Sequence, residues 1–156
     1  MKRRDFILMG LLLLTTPFNN TSTTYWDIIK STLDHLFPKS TQFYGAVELD
    51  AISFLQFASR NKKYFKKSDL DLLISGAFEI FNIEHAFVTK SIDIKEKILR
   101  DFEAKQSGKD WLSTLMNYGI EGMLSDPIYG GNKNQKGWIT LNHKPGLPRP
   151  KKLYAI

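Results

Sequence analysis

LDLLISGAFEIFNIEHAFV, residues 70–88, is the longest segment of the sequence in which apolar side chains recur at helical spacing. The residues that recur in this way are Leu70, Leu73, Ala77, Phe81 and Val88. Because an α-helix turns once every ~3.6 residues, these side chains would share one face. Ser68 or Asp69, just before the run, is a suitable N-cap. The segment therefore predicts a long amphipathic helix.

The same period recurs in four further segments, which are 25–36, 46–60, 92–105 and 110–124. In the first, Thr23 or Thr24 is a suitable N-cap and Pro38 ends the helix. In the second, the apolar stripe consists of Val47, Ala51, Phe54 and Ala58. In the fourth, Asp110 is a suitable N-cap. Since no segment alternates apolar and polar residues like a strand, we predict an all-α fold, a small bundle of about five helices.

The period ends after Leu124, where the composition of the chain changes. Residues 125–156 contain four of the six prolines and four of the ten glycines, so this tail is predicted to be irregular, without helix. It is also too aromatic for a free linker. We therefore predict a signal segment over 1–20, a helical domain over 21–124 and an irregular partner-binding tail over 125–156.

The chain of 156 residues has a net charge of +6 and no cysteine. The missing cysteines exclude disulfides, thiolate metal sites, cysteine nucleophiles and the C-x-x-C-H attachment of haem. The basic charge is compatible with binding to nucleic acid or to an anionic membrane surface. RNKKYFKKSD, residues 60–69, places Tyr64 and Phe65 among lysines. This segment predicts either a nucleic-acid stacking platform or, as the favoured interpretation, a solvated connection with both rings turned inward.

The first residues, MKRRDFILMGLLLLTTP, follow the order of an export signal: basic residues, an apolar run and then polar residues. The apolar run over 6–14 has nine residues, whereas a helix needs about twenty to span a bilayer. Arg3 and Arg4, followed by Phe6 and Ile7, resemble the twin-arginine export signal, whose route carries folded proteins. The first 24 residues contain no alanine and so no A-x-A-like cleavage site. Two outcomes stay open, which are cleavage and retention as a short anchor.

Motifs of enzyme chemistry are missing from the sequence, which has no dinucleotide fingerprint, no phosphate-binding loop and no G-x-S-x-G elbow. The histidines are His35, His85 and His143, on separate segments, and we expect the first two to be surface or hydrogen-bonded residues. Glu84 and His85 are adjacent rather than three residues apart, which argues against a di-iron site in the bundle. A free-standing enzyme, the weakest alternative, would have to use His143 and Asp126.

SDPIYGGNKNQKGW, residues 125–138, combines turn residues with large apolar side chains. Asp126 precedes Pro127, and a residue before proline favours an extended or turning backbone. Gly130 and Gly131 are suited to positive φ or to close contact with another backbone. The segment is therefore expected to fold tightly, in spite of its position in the tail.

Tyr129 and Trp138 give this segment contact area of the kind that is enriched at interface hot spots. The predicted partner-binding residues are Asp126, Pro127, Tyr129, Gly130, Gly131, Asn132, Gly137 and Trp138. Two interpretations stay open. The segment either covers a partner protein or folds back on its own bundle as an ordered cap.

The block DPIYGGN, residues 126–132, with Gly137 and Trp138 and the following HKPGLPRP, resembles the signature end of the gluconate 2-dehydrogenase subunit 3 family. The resemblance extends to the twin-arginine start, to IIKSTLDHLFP in the first helix and to AVELDAISFL in the second, so it covers most of the chain. Members of this family are small subunits of membrane-associated sugar and sugar-acid dehydrogenases.

The resemblance implies a partner protein rather than an enzyme. In such complexes a large flavoprotein subunit with FAD oxidises the sugar, and a multihaem cytochrome c subunit with haem c passes the electrons on. The small subunit carries the signal for the twin-arginine translocase and helps the flavoprotein to mature and to cross the membrane folded. For this chain it implies no catalytic, cofactor or metal residues, no nucleic-acid partner, and a location in the periplasm at the inner membrane. The alternative is a basic helical protein that binds nucleic acid or a membrane surface.

Overall fold

The computed structural model describes residues 23–151, which form helices and connecting segments without a β-strand. The long helices are α1 (Tyr25–Leu36), α2 (Ala51–Ala58), α3 (Lys67–Ile83), α4 (Ile92–Glu103) and α5 (Gln106–Leu124). A short helix, α6 (Lys136–Thr140), follows them, and 3₁₀ turns cover Phe87–Thr89, Pro127–Tyr129 and Lys133–Gln135. The predicted all-α bundle of about five helices is confirmed for this part of the chain.

Helix α1 begins and ends where the sequence predicts. The backbone N–H and the hydroxyl of Thr24 donate to the Asp27 carboxylate at 2.7 and 2.8 Å, and the Asp27 N–H donates to the Thr24 hydroxyl. This capping box satisfies backbone groups that a helix start leaves open. The helix ends at Leu36, shortly before Pro38. Its buried side chains include Ile28, Ile29 and Leu33.

Helix α2 is shorter than the sequence predicts, because residues 46–50 form turns and the helix begins only at Ala51. Asp50, the residue before it, has left-handed backbone angles (φ 56°, ψ 42°), which interrupt a helix that starts earlier. Val47 is accordingly 55% exposed and does not belong to the buried stripe, whereas the other members of that stripe are buried.

Helix α3 forms from the segment with the longest period, but it ends at Ile83, so Val88 lies outside it in the 3₁₀ turn Phe87–Thr89. Neither predicted N-cap is correct. The helix begins at Lys67 with Lys66 as N-cap, so Ser68 and Asp69 lie in its first turn. The Asp69 carboxylate there accepts a hydrogen bond from the Tyr118 hydroxyl at 2.8 Å. A carboxylate at this position is also favoured by the helix dipole.

Helix α5 packs against all four other long helices and is the centre of the bundle. Its Trp111 is fully buried against Gly76 of α3, where an added Cβ would lie 2.1 Å from the indole ring. The indole N–H donates to the Leu73 carbonyl at 2.9 Å, so the buried polar atom has a partner. A glycine inside the longest predicted helix thus marks a close approach of α3 to α5.

Helices α4 and α5 meet at a tight corner. Helix α5 begins at Gln106, so the predicted N-cap Asp110 is wrong. Asp110 lies inside the helix, where its carboxylate accepts a hydrogen bond from the Gln106 amide at 2.8 Å. An added Cβ at Gly108 would lie 1.9 Å from the carbonyl oxygen of Phe102, and this close approach requires glycine.

The first two histidines occupy the places expected for them. His35 Nε2 lies 2.6 Å from a carboxylate oxygen of Glu96, which joins α1 to α4. This hydrogen bond holds the pKa of the Glu96 carboxyl below its usual value. His85 is exposed, and its ring lies against that of Phe81 with centroids 4.5 Å apart. Both residues are thus hydrogen-bonded or surface histidines, as predicted.

Two further expectations concern the ends of the chain. The expectation that the tail holds no helix is wrong for Lys136–Thr140, because the prolines flank this turn rather than interrupt it. The predicted export signal, with Arg3, Arg4, Phe6 and Ile7, lies outside the described residues. Among residues 23–151, no helix is long and apolar enough to cross a membrane.

Candidate functional site

The segment that the sequence singles out, residues 125–138, is called here the C-terminal clamp, and it begins with a cluster around Asp126. The backbone of Asp126 is extended, as expected before Pro127, and its carboxylate accepts a hydrogen bond from the Ile128 N–H at 3.1 Å. The same carboxylate accepts two hydrogen bonds from Arg149, from Nε at 3.0 Å and Nη2 at 2.9 Å. The bonds from the Arg149 guanidinium hold the pKa of Asp126 below its usual value.

The two adjacent glycines serve the two purposes that the sequence suggests. Gly130 has φ 98°, a conformation that favours glycine, and its N–H donates to the Pro127 carbonyl at 3.1 Å. Gly131 lies directly against α5, because an added Cβ would be 2.0 Å from the carbonyl oxygen of Gly122. One glycine therefore makes the chain reverse, and the other allows backbone to touch backbone.

Asn132 is the centre of the clamp and is fully buried. Its side-chain Nδ2 donates to the Ser125 carbonyl at 2.9 Å, and its Oδ1 accepts from the Gly137 N–H at 2.8 Å. Its backbone N–H donates to the Gly122 carbonyl at 2.9 Å. The left-handed backbone (φ 47°) is one that asparagine tolerates better than most residues. A single side chain thus joins the start of the clamp to α6.

The clamp also fastens the start of α2 to the end of α5. The Lys133 N–H donates to the carbonyl of Leu49, a buried residue just before α2, at 3.1 Å. On the other side, an added Cβ at Gly122 of α5 would lie 3.0 Å from the carbonyl oxygen of Ala51. Two helix ends and the clamp therefore meet at one glycine, which the sequence interpretation did not single out.

Trp138 closes the clamp and is only 7% exposed. Its indole N–H donates to the Leu124 carbonyl, the last of α5, at 2.6 Å. The Arg149 guanidinium lies 5.0 Å from the ring centroid, a cation–π contact, and the His143 ring centroid lies 6.0 Å away. Arg149 therefore binds both ends of the clamp, Asp126 and Trp138. Nothing in the sequence signals this role, since Arg149 stands among prolines in the tail.

Tyr129 lies half-buried on another side of the clamp, with its ring centroid 6.0 Å from that of Phe57. Both rings line a cleft of about 350 Å³ beside Tyr64 and Glu121. The Tyr64 hydroxyl donates to the Glu121 carboxylate, and burial raises the pKa of that carboxyl. Phe65 is buried and stacks on another aromatic ring. The inward orientation predicted for this aromatic pair therefore holds for Phe65, while Tyr64 is half exposed.

The eight predicted partner-binding residues are brought together, but half of them are buried. Gly131, Asn132, Gly137 and Trp138 are buried, while Asp126, Pro127 and Tyr129 are half-buried and Gly130 is exposed. The clamp therefore packs on its own bundle as an ordered cap, which is one of the two predicted interpretations. Contact of the same residues with a partner stays a prediction.

The chemistry available at the clamp follows from these contacts. Both oxygens of the Asp126 carboxylate are held by Arg149, which keeps the group ionised and unsuited to proton donation. His143, the other residue of the enzyme alternative, lies at the rim against Trp138. Within residues 23–151, no three side chains of His, Cys, Asp or Glu form a group that could hold a metal ion. The contacts of Asp126 and Arg149 thus hold the clamp in its fold.

One comparison with known proteins identifies a relationship. A family model described as gluconate 2-dehydrogenase subunit 3 matches residues 24–146, which include all six helices and the whole clamp. No curated protein and no solved structure gives a significant match.

Proposed function

Because the chain belongs to the gluconate 2-dehydrogenase subunit 3 family, we propose that it is the non-catalytic small subunit of a membrane-associated, flavin-dependent dehydrogenase complex. In this role it escorts the flavoprotein subunit through export and stabilises it. FAD and haem c belong to the partner subunits, the flavoprotein and a multihaem cytochrome c. The complex works in the periplasm, at the inner membrane.

The observation that carries this proposal is the family match over residues 24–146, since it covers both the bundle and the clamp. The escort role is supported by the segment ahead of the matched region, where Arg3 and Arg4 precede the apolar run over 6–14. The clamp supports the role of a stable binding partner, because it holds the start of α2 and the end of α5 together as one rigid surface. A rigid surface loses less conformational freedom on binding.

An affinity purification of the full chain from its native cell tests the subunit assignment. We expect a larger protein with bound flavin to copurify, recognised by its absorption spectrum and by dehydrogenase activity with sugars or sugar acids. Dehydrogenase activity in the purified chain alone would contradict the proposal. So would strongly salt-dependent binding to DNA without a flavoprotein partner.

The escort role is tested by the double substitution R3K and R4K. We expect the flavoprotein and its activity to disappear from the periplasmic fraction, with the activity retained inside the cell. The variant K2Q is the matched control, since it removes a neighbouring positive charge and leaves the arginine pair in place. Full periplasmic activity of the arginine variant would show that the flavoprotein is exported without this chain.

A further inference from the structure

We infer that an apolar groove beside the clamp is the surface that binds the flavoprotein. The part of the flavoprotein that occupies the groove is a segment with apolar side chains flanked by carboxylates. This inference rests on the proposed function and adds to it the place and the chemistry of the contact. It differs from the sequence prediction, which placed the contact on the clamp itself.

The groove lies between the end of α1, the loop over 37–44, the last turns of α5 and helix α6. It has a volume of about 380 Å³. Its lining is apolar except for three hydroxyl-bearing side chains, those of Ser40, Tyr44 and Thr140. The apolar side chains of the lining include those of Phe43, Ile120, Met123, Leu124 and Leu141.

Several of these side chains are exposed at the groove. Phe43 and Leu141 are each 50% exposed and Ile120 is 45% exposed. Single exposed apolar residues are ordinary on protein surfaces, whereas several around one concave site are typical of a binding surface. These three residues come from a loop, the segment after α6 and helix α5, so the fold gathers them from distant parts of the chain.

The loop that carries Phe43 is held in one shape. The Ser40 hydroxyl oxygen accepts hydrogen bonds from the N–H groups of Gln42 at 3.2 Å and Phe43 at 2.9 Å. The Ser40 N–H donates to the Phe43 carbonyl at 3.0 Å. At the end of the loop, an added Cβ at Gly45 would lie 2.6 Å from the Phe37 carbonyl oxygen. The aromatic side chain is therefore presented before any partner binds, which lowers the entropy lost on binding.

The charges around the groove determine the kind of partner segment. Lys39 stands between two lining residues, and the ammonium of Lys136 lies 5.0 Å from the Tyr44 ring centroid, which lines the groove. Within the described part of the chain, neither lysine has an ion-pair partner. These two ammonium groups fit a partner segment in which apolar side chains are flanked by carboxylates.

The clamp forms one wall of this groove, which gives the sequence motif an indirect part in binding. Gly137 of the clamp lines the groove, and an added Cβ there would lie 2.2 Å from the Met123 carbonyl oxygen. Trp138 holds the Leu124 carbonyl, and Leu124 also lines the groove. The clamp therefore sets the positions of α5 and α6 on either side of the groove.

The test uses single substitutions in the full chain, coexpressed with the flavoprotein that copurifies with the unmodified chain. F43D and L141D place a charge in the groove at side chains that are half exposed, so the fold is retained. I92D is the matched control, because Ile92 is 74% exposed at the start of α4 and does not line the groove. We expect both groove variants to lower the recovery of the flavoprotein by about tenfold or more, and the control to leave it unchanged.

K39E and K136E test the charge, and we expect each to lower recovery most strongly at low salt. Unchanged recovery with F43D and L141D would overturn the groove as the docking surface, while the proposed function would stand because the flavoprotein still binds. If the unmodified chain recovers no flavoprotein, the proposed function and this inference both fail. Two results would assign another occupant to the groove and overturn the inference. One is a dimer of the chain that F43D and L141D disrupt. The other is binding to anionic phospholipid vesicles that the same variants abolish.

Discussion

Replacement of Asn132 by alanine is expected to destabilise the fold more than any exposed change in the clamp. The substitution removes two side-chain hydrogen bonds and leaves the Ser125 carbonyl and the Gly137 N–H without a partner. Each unsatisfied buried group costs about 1–3 kcal/mol, which gives about 2–6 kcal/mol for the two. Alanine at this position would also have to adopt the left-handed backbone conformation without the side-chain amide that stabilises it in asparagine. This adds about 1 kcal/mol to the loss of stability. We therefore expect a loss of about 3–7 kcal/mol.

Two further variants separate these contributions. N132G removes the hydrogen bonds but accepts the left-handed backbone, so it should be less destabilising than N132A by about 1 kcal/mol. N142A is the matched control, since Asn142 has a similar backbone (φ 51°) but is exposed. It should cost about 1 kcal/mol, the price of the backbone conformation alone.

The measurement is equilibrium unfolding in urea, followed by circular dichroism for the helices and by the fluorescence of the three tryptophans. A domain of this size has a free energy of unfolding of about 5–15 kcal/mol, so N132A should shift the midpoint far toward low urea or leave the chain unfolded. An equal loss in N132A and N142A would refute the reasoning, because the hydrogen bonds of Asn132 would then contribute nothing.

Two other changes address the clamp. G131A should destabilise the fold by about 2 kcal/mol or more in thermal unfolding, because its Cβ would lie 2.0 Å from a carbonyl oxygen. G146A is the control and should have little effect, because no atom lies within 4 Å of the added Cβ. R149Q should reduce the dependence of stability on acid pH. The pKa of Asp126 in the folded state lies below its usual value of about 3.9. The ionised carboxylate therefore stabilises the fold above about pH 3.9, and this stabilisation is lost as the pH falls through the folded-state pKa. Urea unfolding near pH 5 and pH 3 should therefore show a smaller loss in R149Q than in the unmodified chain, and an equal loss would contradict the role of this ion pair.

The helices could be predicted because their signal is local. The period of the apolar residues gave five long helices, and the capping box at Thr24 fixed the start of the first. Helix α4 begins at Ile92 as predicted, whereas the predicted starts of α2, α3 and α5 were wrong by several residues. In α2 and α5 a backbone feature without a side-chain signal decides the start. Asp50 in the left-handed region is one such feature, and the α4–α5 corner at Gly108 is another.

The clamp could be recognised from the sequence as an unusual segment, but the surface against which it packs could not be predicted. The segment was predicted to fold tightly and to offer a large apolar contact area, on the basis of its glycines, Asn132 and Trp138. The sequence left open whether that area faced a partner or its own bundle. That choice depends on contacts with Gly122, Leu49 and Arg149, all of which lie outside the segment. A pair of glycines inside α5, Gly119 and Gly122, is the signal that would have pointed to a close approach there.

The bond from the clamp to Leu49 also has a consequence for the order of folding. The Leu49 carbonyl belongs to a segment that the ribosome makes long before Lys133, whose N–H group binds it. Contacts between distant positions close slowly, so the bundle becomes complete only after its last part has been synthesised. We expect pulsed hydrogen exchange during refolding to protect the amides of Asn132 and Lys133 after those of α3 and α5. Under the proposed export in the folded state, this late step would delay export until the clamp has formed.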